Sequence, residues 1–188
     1  GHVAFTVEVD RCLRVLDGAV LVLCSVGGVQ AQSLTIDRQM KRYGVPRLAF
    51  INKMDRETKD PFDLCEEVER ELGIDTYAMN WPIGCGKEFQ GVYDREKKSI
   101  LFFGDEGKGR KSSSVEIELD DPEVAEYLGE KGWEQIRDDV ELLGAGRDFD
   151  MEAVQNGTLS PVFFGSALTT FGVEPFLEAF LKMTTSPL

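Results

Sequence analysis

The spacing of apolar residues changes its period several times along the chain. Between Phe5 and Leu16, Phe5, Val7, Val9, Leu13 and Leu16 are interleaved with Glu8, Asp10, Arg11 and Arg14, a spacing that predicts an amphipathic helix. Asp17-Gly18 closes it, and the unbroken run from Ala19 to Leu23 predicts a strand buried on both faces. Gly27-Gly28 reads as a turn, Gln30 to Tyr43 as a helix stopped by Gly44, and Val45 to Ile51 as a second buried strand. Asp60 is placed to cap a helix over Pro61 to Leu72, with Pro61 at the first helical position and Gly73 closing it. Strand, helix, strand, helix at these lengths is the rhythm of a parallel sheet covered by helices.

That rhythm breaks after about Ile74. Phe89 to Tyr93 and Ser99 to Phe103 are short and β-prone, with the charged turn Asp94 to Lys98 between them. A polar, Gly-rich loop follows from Gly104 to Ser114, and then an alternating strand from Val115 to Leu119. Acidic helices are predicted over Pro122 to Leu128 and Trp133 to Leu143, with a shorter one over Asp148 to Asn156. The first rhythm returns with a strand at Pro161 to Phe164, a break at Gly165-Ser166 and a helix from Val173 to Met183. The pattern divides the chain into residues 1–80, a small α+β insertion over 81–160, and a return over 161–188 that ends in a linker.

No apolar stretch approaches the ~20 residues needed to cross a bilayer, so no membrane partner is expected. A formal net charge of −13 repels a phosphate backbone, which argues against sequence-specific DNA as a partner. Cys12, Cys24, Cys65 and Cys85 form no close pair and are accompanied by a single histidine, so no metal site is expected and a reducing compartment fits.

Ligands of open parallel sheets bind at the carboxyl ends of the strands, and two polar clusters fall there. Asn52-Lys53-Met54-Asp55 follows one apolar run, and Ser166-Ala167-Leu168 follows another. A carboxylate can accept hydrogen bonds from both the ring N–H and the exocyclic amine of guanine, a donor pair adenine lacks, and Asp55 is placed for that role. Lys53 can lay its aliphatic stem over the base, and Asn52 can tie the loop to its neighbours. The small Ala167 lets a backbone N–H approach the guanine O6, with Ser166 bracing the loop. Taken alone, Asn-Lys-x-Asp is also an ordinary polar turn; its position after a buried strand gives it meaning. The Gly-rich phosphate loop ending in Lys and Ser/Thr, and the aspartate that binds magnesium, are absent from the sequence. Truncation at the N-terminus is therefore expected, with uncovered apolar edges and little nucleotide affinity in the isolated chain.

These residues resemble the GTPases that work on the ribosome. Gly1-His2-Val3 with Phe5-Thr6-Val7-Glu8-Val9 looks like the segment of their third motif, Asn52-Lys53-Met54-Asp55-Arg56 like the fourth, and Ser166-Ala167-Leu168 like the fifth. Arg14 to Val22 and Gly27-Gly28-Val29-Gln30 are similar to the branch that drives translocation, elongation factor G. Trp81-Pro82-Ile83-Gly84, Gly91-Val92-Tyr93 and Pro161 to Leu168 are similar to the termination branch, which recycles codon-reading release factors. The resemblance implies a P-loop GTPase-type doubly wound α/β sheet carrying an inserted α+β subdomain. GTP or GDP and Mg²⁺ would be the cofactors of the full-length protein, the ribosome and release factors its partners, and the cytoplasm its location. His2 would position the attacking water, Gly1 would approach the γ-phosphate, and Leu168 would complete the fifth motif. Ala4 stands where the family has Asp, a departure beside the matching histidine. Translocation is the alternative within the family, and a nucleotide-silent docking module the alternative outside it.

Overall fold

The computed structural model describes residues 18–102, 115–166 and 173–184. The helix predicted over Phe5 to Leu16 lies outside them. In chain order the elements are β1 (Ala19–Cys24), α1 (Ala31–Arg42), β2 (Arg47–Asn52), α2 (Pro61–Leu72), β3 (Asp75–Ala78) and β4 (Asn80–Ile83). A 3-10 turn (Gly86–Glu88), β5 (Gly91–Asp94), β6 (Ser99–Phe102), β7 (Val115–Glu118), α3 (Glu123–Gly144), α4 (Met151–Gln155), β8 (Leu159–Phe164) and α5 (Val173–Thr184) follow.

The first sheet has the order β1-β2-β8-β3, and every pair in it is parallel. Alternate residues of β2 face opposite layers, as the two-residue period requires. Ala49 and Ile51 join Leu21 and Leu23 under α1 and α2, with Met40, Leu64, Val68 and Leu72. Leu48 and Phe50 join Phe163 under α5, where Phe176 sits 5.1 Å from Phe50 and 5.2 Å from Phe163. Helices therefore cover both faces, the doubly wound arrangement expected. Among the described residues β1 lies at the sheet edge; Val22 on it is 64 % exposed, and Leu177 and Leu181 of α5 are 51 % and 61 % exposed. The expectation that β1 is buried on both faces is not met: its burial alternates, with Leu21 and Leu23 buried and Val22 exposed.

β3 and β4 are not foreshadowed by the apolar pattern. Asp75 to Ala78 has one exposed end and no apolar run, yet it pairs with β8 from Asp75↔Leu159 to Ala78↔Val162. The chain then turns into a second, antiparallel sheet of order β4-β5-β6-β7. Pro82 is tolerated in β4 because that strand is an edge. The two acidic helices predicted after it form the span of α3, broken at Gly129 (φ 72°, ψ 168°). Val124 and Ile136 of α3 pack into the same apolar cluster as Ile100, Phe102 and Ile117.

At the amino ends of the strands, one cation meets the C-terminus of α2, where carbonyl groups lack partners, and another ties β2 to the turn after α4. Lys41 donates to Leu72 O at the end of α2, and its Nζ lies 3.6 Å from Asp37. Arg47, buried in β2, pairs with the equally buried Asp37 and donates to Gly157 O, just past α4, at 2.8 Å. Replacing Arg47 with Met leaves the buried Asp37 carboxylate only Lys41, 3.6 Å away, as a partner. We expect a loss of about 3–5 kcal/mol in urea unfolding, most of it recovered in the Asp37→Leu/Arg47→Met double variant.

Candidate functional site

Parallel pairing sends three loops out of one end of the sheet. Cys24 is level with Asn52, and Ile51 with Phe164. The residues after them are laced together by backbone hydrogen bonds: Ser25 N–H to Asn52 O at 3.0 Å, Gly165 N–H to Ile51 O at 3.0 Å, and Met54 N–H to Gly165 O at 3.2 Å. Lys53 takes a left-handed conformation (φ 69°), which costs a non-glycine residue about 1–3 kcal/mol and recurs at functional turns. That reversal, closed by Arg56 N–H to Lys53 O at 3.0 Å, directs the chain back toward β8.

There the two predicted clusters meet. The hydroxyl of Ser166, fully buried, donates to Oδ1 of Asp55 at 2.6 Å. Asp55 itself is half-buried, and among the described residues its Oδ2 has no hydrogen-bond partner. Lys53 is exposed and Asn52 half-buried beside it. The structure thus brings Asn52, Lys53, Asp55 and Ser166 to one place. Gly1, His2, Ala4, Ala167 and Leu168 lie outside the described residues, so the expected approach of the Ala167 amide is not part of this geometry.

Burial works to raise the pKa of the Cys24 thiol, but the Gly27 and Val26 amides and the charges of Lys53 and Arg56 outweigh it, and the net shift is downward. Cys24 Sγ accepts the Gly27 N–H at 3.4 Å. Cys24, Cys65 and Cys85 are free thiols.

Two supports come from β4 and from the 3-10 turn after it, and neither is foreshadowed by the spacing of apolar residues. β3 stops pairing at Ala78, and the Asn80 side chain takes over its edge of β8: Phe164 N–H donates to Asn80 Oδ1 at 2.7 Å, and Asn80 Nδ2 donates to Phe164 O at 3.1 Å. The amide mimics one more residue of strand just before Gly165-Ser166. The second support is Gly86, whose N–H donates to Met54 O at 3.0 Å. Met54, fully buried, is therefore held at both its N–H and its carbonyl, and the loop hangs on it. Trp81 packs between Phe62 (4.4 Å) and Phe164 (5.4 Å) and donates from Nε1 to Asp139 of α3 at 3.2 Å. Burial pushes the Asp139 carboxyl above its ordinary range, although hydrogen bonds from Gln135 and Trp81 act the other way.

A left-handed turn after one strand, braced by a serine after its parallel neighbour, stands at the strand ends where open parallel sheets bind their ligands. The chain belongs to the family described as Elongation factor Tu GTP binding domain, which it matches over residues 1–186. It is similar to proteins named peptide chain release factor 3. The relative from Nostoc punctiforme is 41 % identical over 189 residues, covering 100 % of this chain and 35 % of the relative. Those from Acaryochloris marina and Symbiobacterium thermophilum are 42 % and 41 % identical, with 100 % of this chain and 35 % and 36 % of the relatives covered. The chain thus spans about a third of the length of these relatives. A solved crystal structure from Thermus thermophilus superposes with a TM-score of 0.71 at 22 % identity, covering 100 % of this chain and 29 % of that one, a likeness of fold.

Ser166→Ala removes a hydrogen bond to a charged acceptor, a contact with a net value of about 1.5–3 kcal/mol. We expect a destabilisation of that size in equilibrium unfolding, with Ser166→Thr, which keeps the hydroxyl, closer to wild type.

Proposed function

We propose that this chain is the base-recognising part of a GTP-hydrolysing translation factor that recycles codon-reading release factors from the ribosome, the function that the resemblance implies. The observation that carries the reading is the hydrogen bond from Ser166 to Asp55 across two neighbouring strand ends. It fixes one carboxylate oxygen and leaves the other open among the described residues, a geometry suited to the N1–H and amine of guanine. Lys53, exposed beside it, is suited to cover the base plane with its stem. Ala167 and Leu168 complete the base loop in this reading.

The base site fits guanine; the phosphates and Mg²⁺ have no such fit, because the sequence holds neither the Gly-rich loop nor the metal-binding aspartate. Those groups belong to the rest of a full-length polypeptide, of which relatives three times as long are the pattern. In that polypeptide Gly1 would lie at the γ-phosphate and His2 would position water. Residues 81–160 act as an inserted subdomain between 1–80 and 161–188. The ribosome and its release factors are the partners, and the cytoplasm the setting. The similarity to release factors runs over the front of the chain as well as the back, which supports termination over translocation for the whole.

The test is nucleotide titration of the full-length polypeptide. GDP should bind far more tightly than ADP, and Asp55→Asn should weaken GDP about tenfold or more while improving xanthosine diphosphate. A wild-type protein indifferent to guanine over adenine would contradict the reading.

A further inference from the structure

The loop after β1 carries none of the predicted base-binding residues, yet it is fastened to the loop that does. Helix α2 supplies the fastening. Glu67 Oε1 accepts the Val29 N–H at 3.0 Å, and Oε2 accepts Lys59 Nζ at 3.0 Å. Lys59 in turn donates its own N–H to Ser25 O at 3.2 Å, while Ser25 donates to Asn52 O. A closed circuit results: Asn52, Ser25, Lys59, Glu67, Val29, and back along the chain to Ser25.

The circuit exists because of one missing atom group. Gly28 holds φ +70°, and a Cβ there would fall 2.3 Å from Glu67 Oε1 and 2.6 Å from Oε2. The carboxylate occupies the space that any other residue would fill. The Glu67 side chain is only 15 % exposed, against 44 % for that of Lys59. Burial works to raise its pKa, but the hydrogen bonds from Lys59 and Val29 and the charges of Lys59 and Arg70 prevail, and the shift is downward. Glu67 is therefore ionised at neutral pH, where it holds both loops.

We propose that Glu67 is a positioning residue for guanine-nucleotide binding, latching the loops after β1 and β2 together so that the base stays bound. This rests on the reading of Asn52, Lys53 and Asp55 given above. Glu67 touches no nucleotide; it acts by limiting the opening of residues 52–59, and its effect belongs in the release rate.

The experiment measures release of fluorescent GDP from the full-length polypeptide, with thermal unfolding recorded alongside. Glu67→Ala, which loses both contacts, should speed release about tenfold. Glu67→Gln keeps an acceptor for Val29 and loses the ion pair, so it should lie between wild type and Glu67→Ala and match Lys59→Met. Combining Glu67→Gln with Lys59→Met should add nothing further. The preference for guanine over xanthine should remain, since Asp55 is untouched. Should Glu67→Ala fail to fold, Glu67→Gln and Lys59→Met decide the matter. Guanine-selective wild-type protein with wild-type release rates in these variants overturns the latch alone. Wild-type protein without guanine preference overturns the base-site reading, and the latch with it.

Discussion

A carboxylate proposed to recognise a base must face outward and hold still. Here, among the described residues, Asp55 is held by the Ser166 hydroxyl, which donates to it at 2.6 Å. The donor reaches its acceptor only because β2 and β8 are neighbours in a parallel sheet, with Ile51 level with Phe164. Parallel neighbours far apart in sequence need crossovers between them, and the crossover from β2 to β8 spans more than a hundred residues. The site is thus a property of topology before it is one of side chains.

What fills that crossover also holds the site. Asn80 closes the open edge of β8 at Phe164, Trp81 wedges between Phe62 and Phe164, and Gly86 reaches the Met54 carbonyl. The antiparallel sheet and the 3-10 turn beside it therefore reach the end of β8 and the loop after β2 through hydrogen bonds and buried aromatic contacts. Asp139 of α3 is joined to these contacts by the Trp81 indole N–H, which donates to it.

The sequence was legible wherever structure is set locally. Asp60 caps α2 by accepting from Phe62 N–H at 2.8 Å, and Gly73 ends it in the left-handed conformation, as their positions imply. β2 and β8 announced themselves as apolar runs and are buried, whereas the equally apolar β1 is buried on alternate residues only; Asn52 to Asp55 and Ser166 announced themselves by their place after such runs. What could not be read was set at long range. β3 is a strand because β8 offers an edge, Arg47 is buried because Asp37 and Gly157 receive it, and Glu67 turns inward because Gly28 leaves room. None of these partners is visible in a local window.

Where the purine sits decides whether Asp55 has the role given to it here. A crystal structure of the full-length polypeptide with GDP would show this without an intermediary. We predict guanine N1 and the exocyclic amine within hydrogen-bond distance of the Asp55 carboxylate, with Ser166 still donating to Oδ1. A base bound elsewhere, or an Asp55 carboxylate turned away from it, would refute that role.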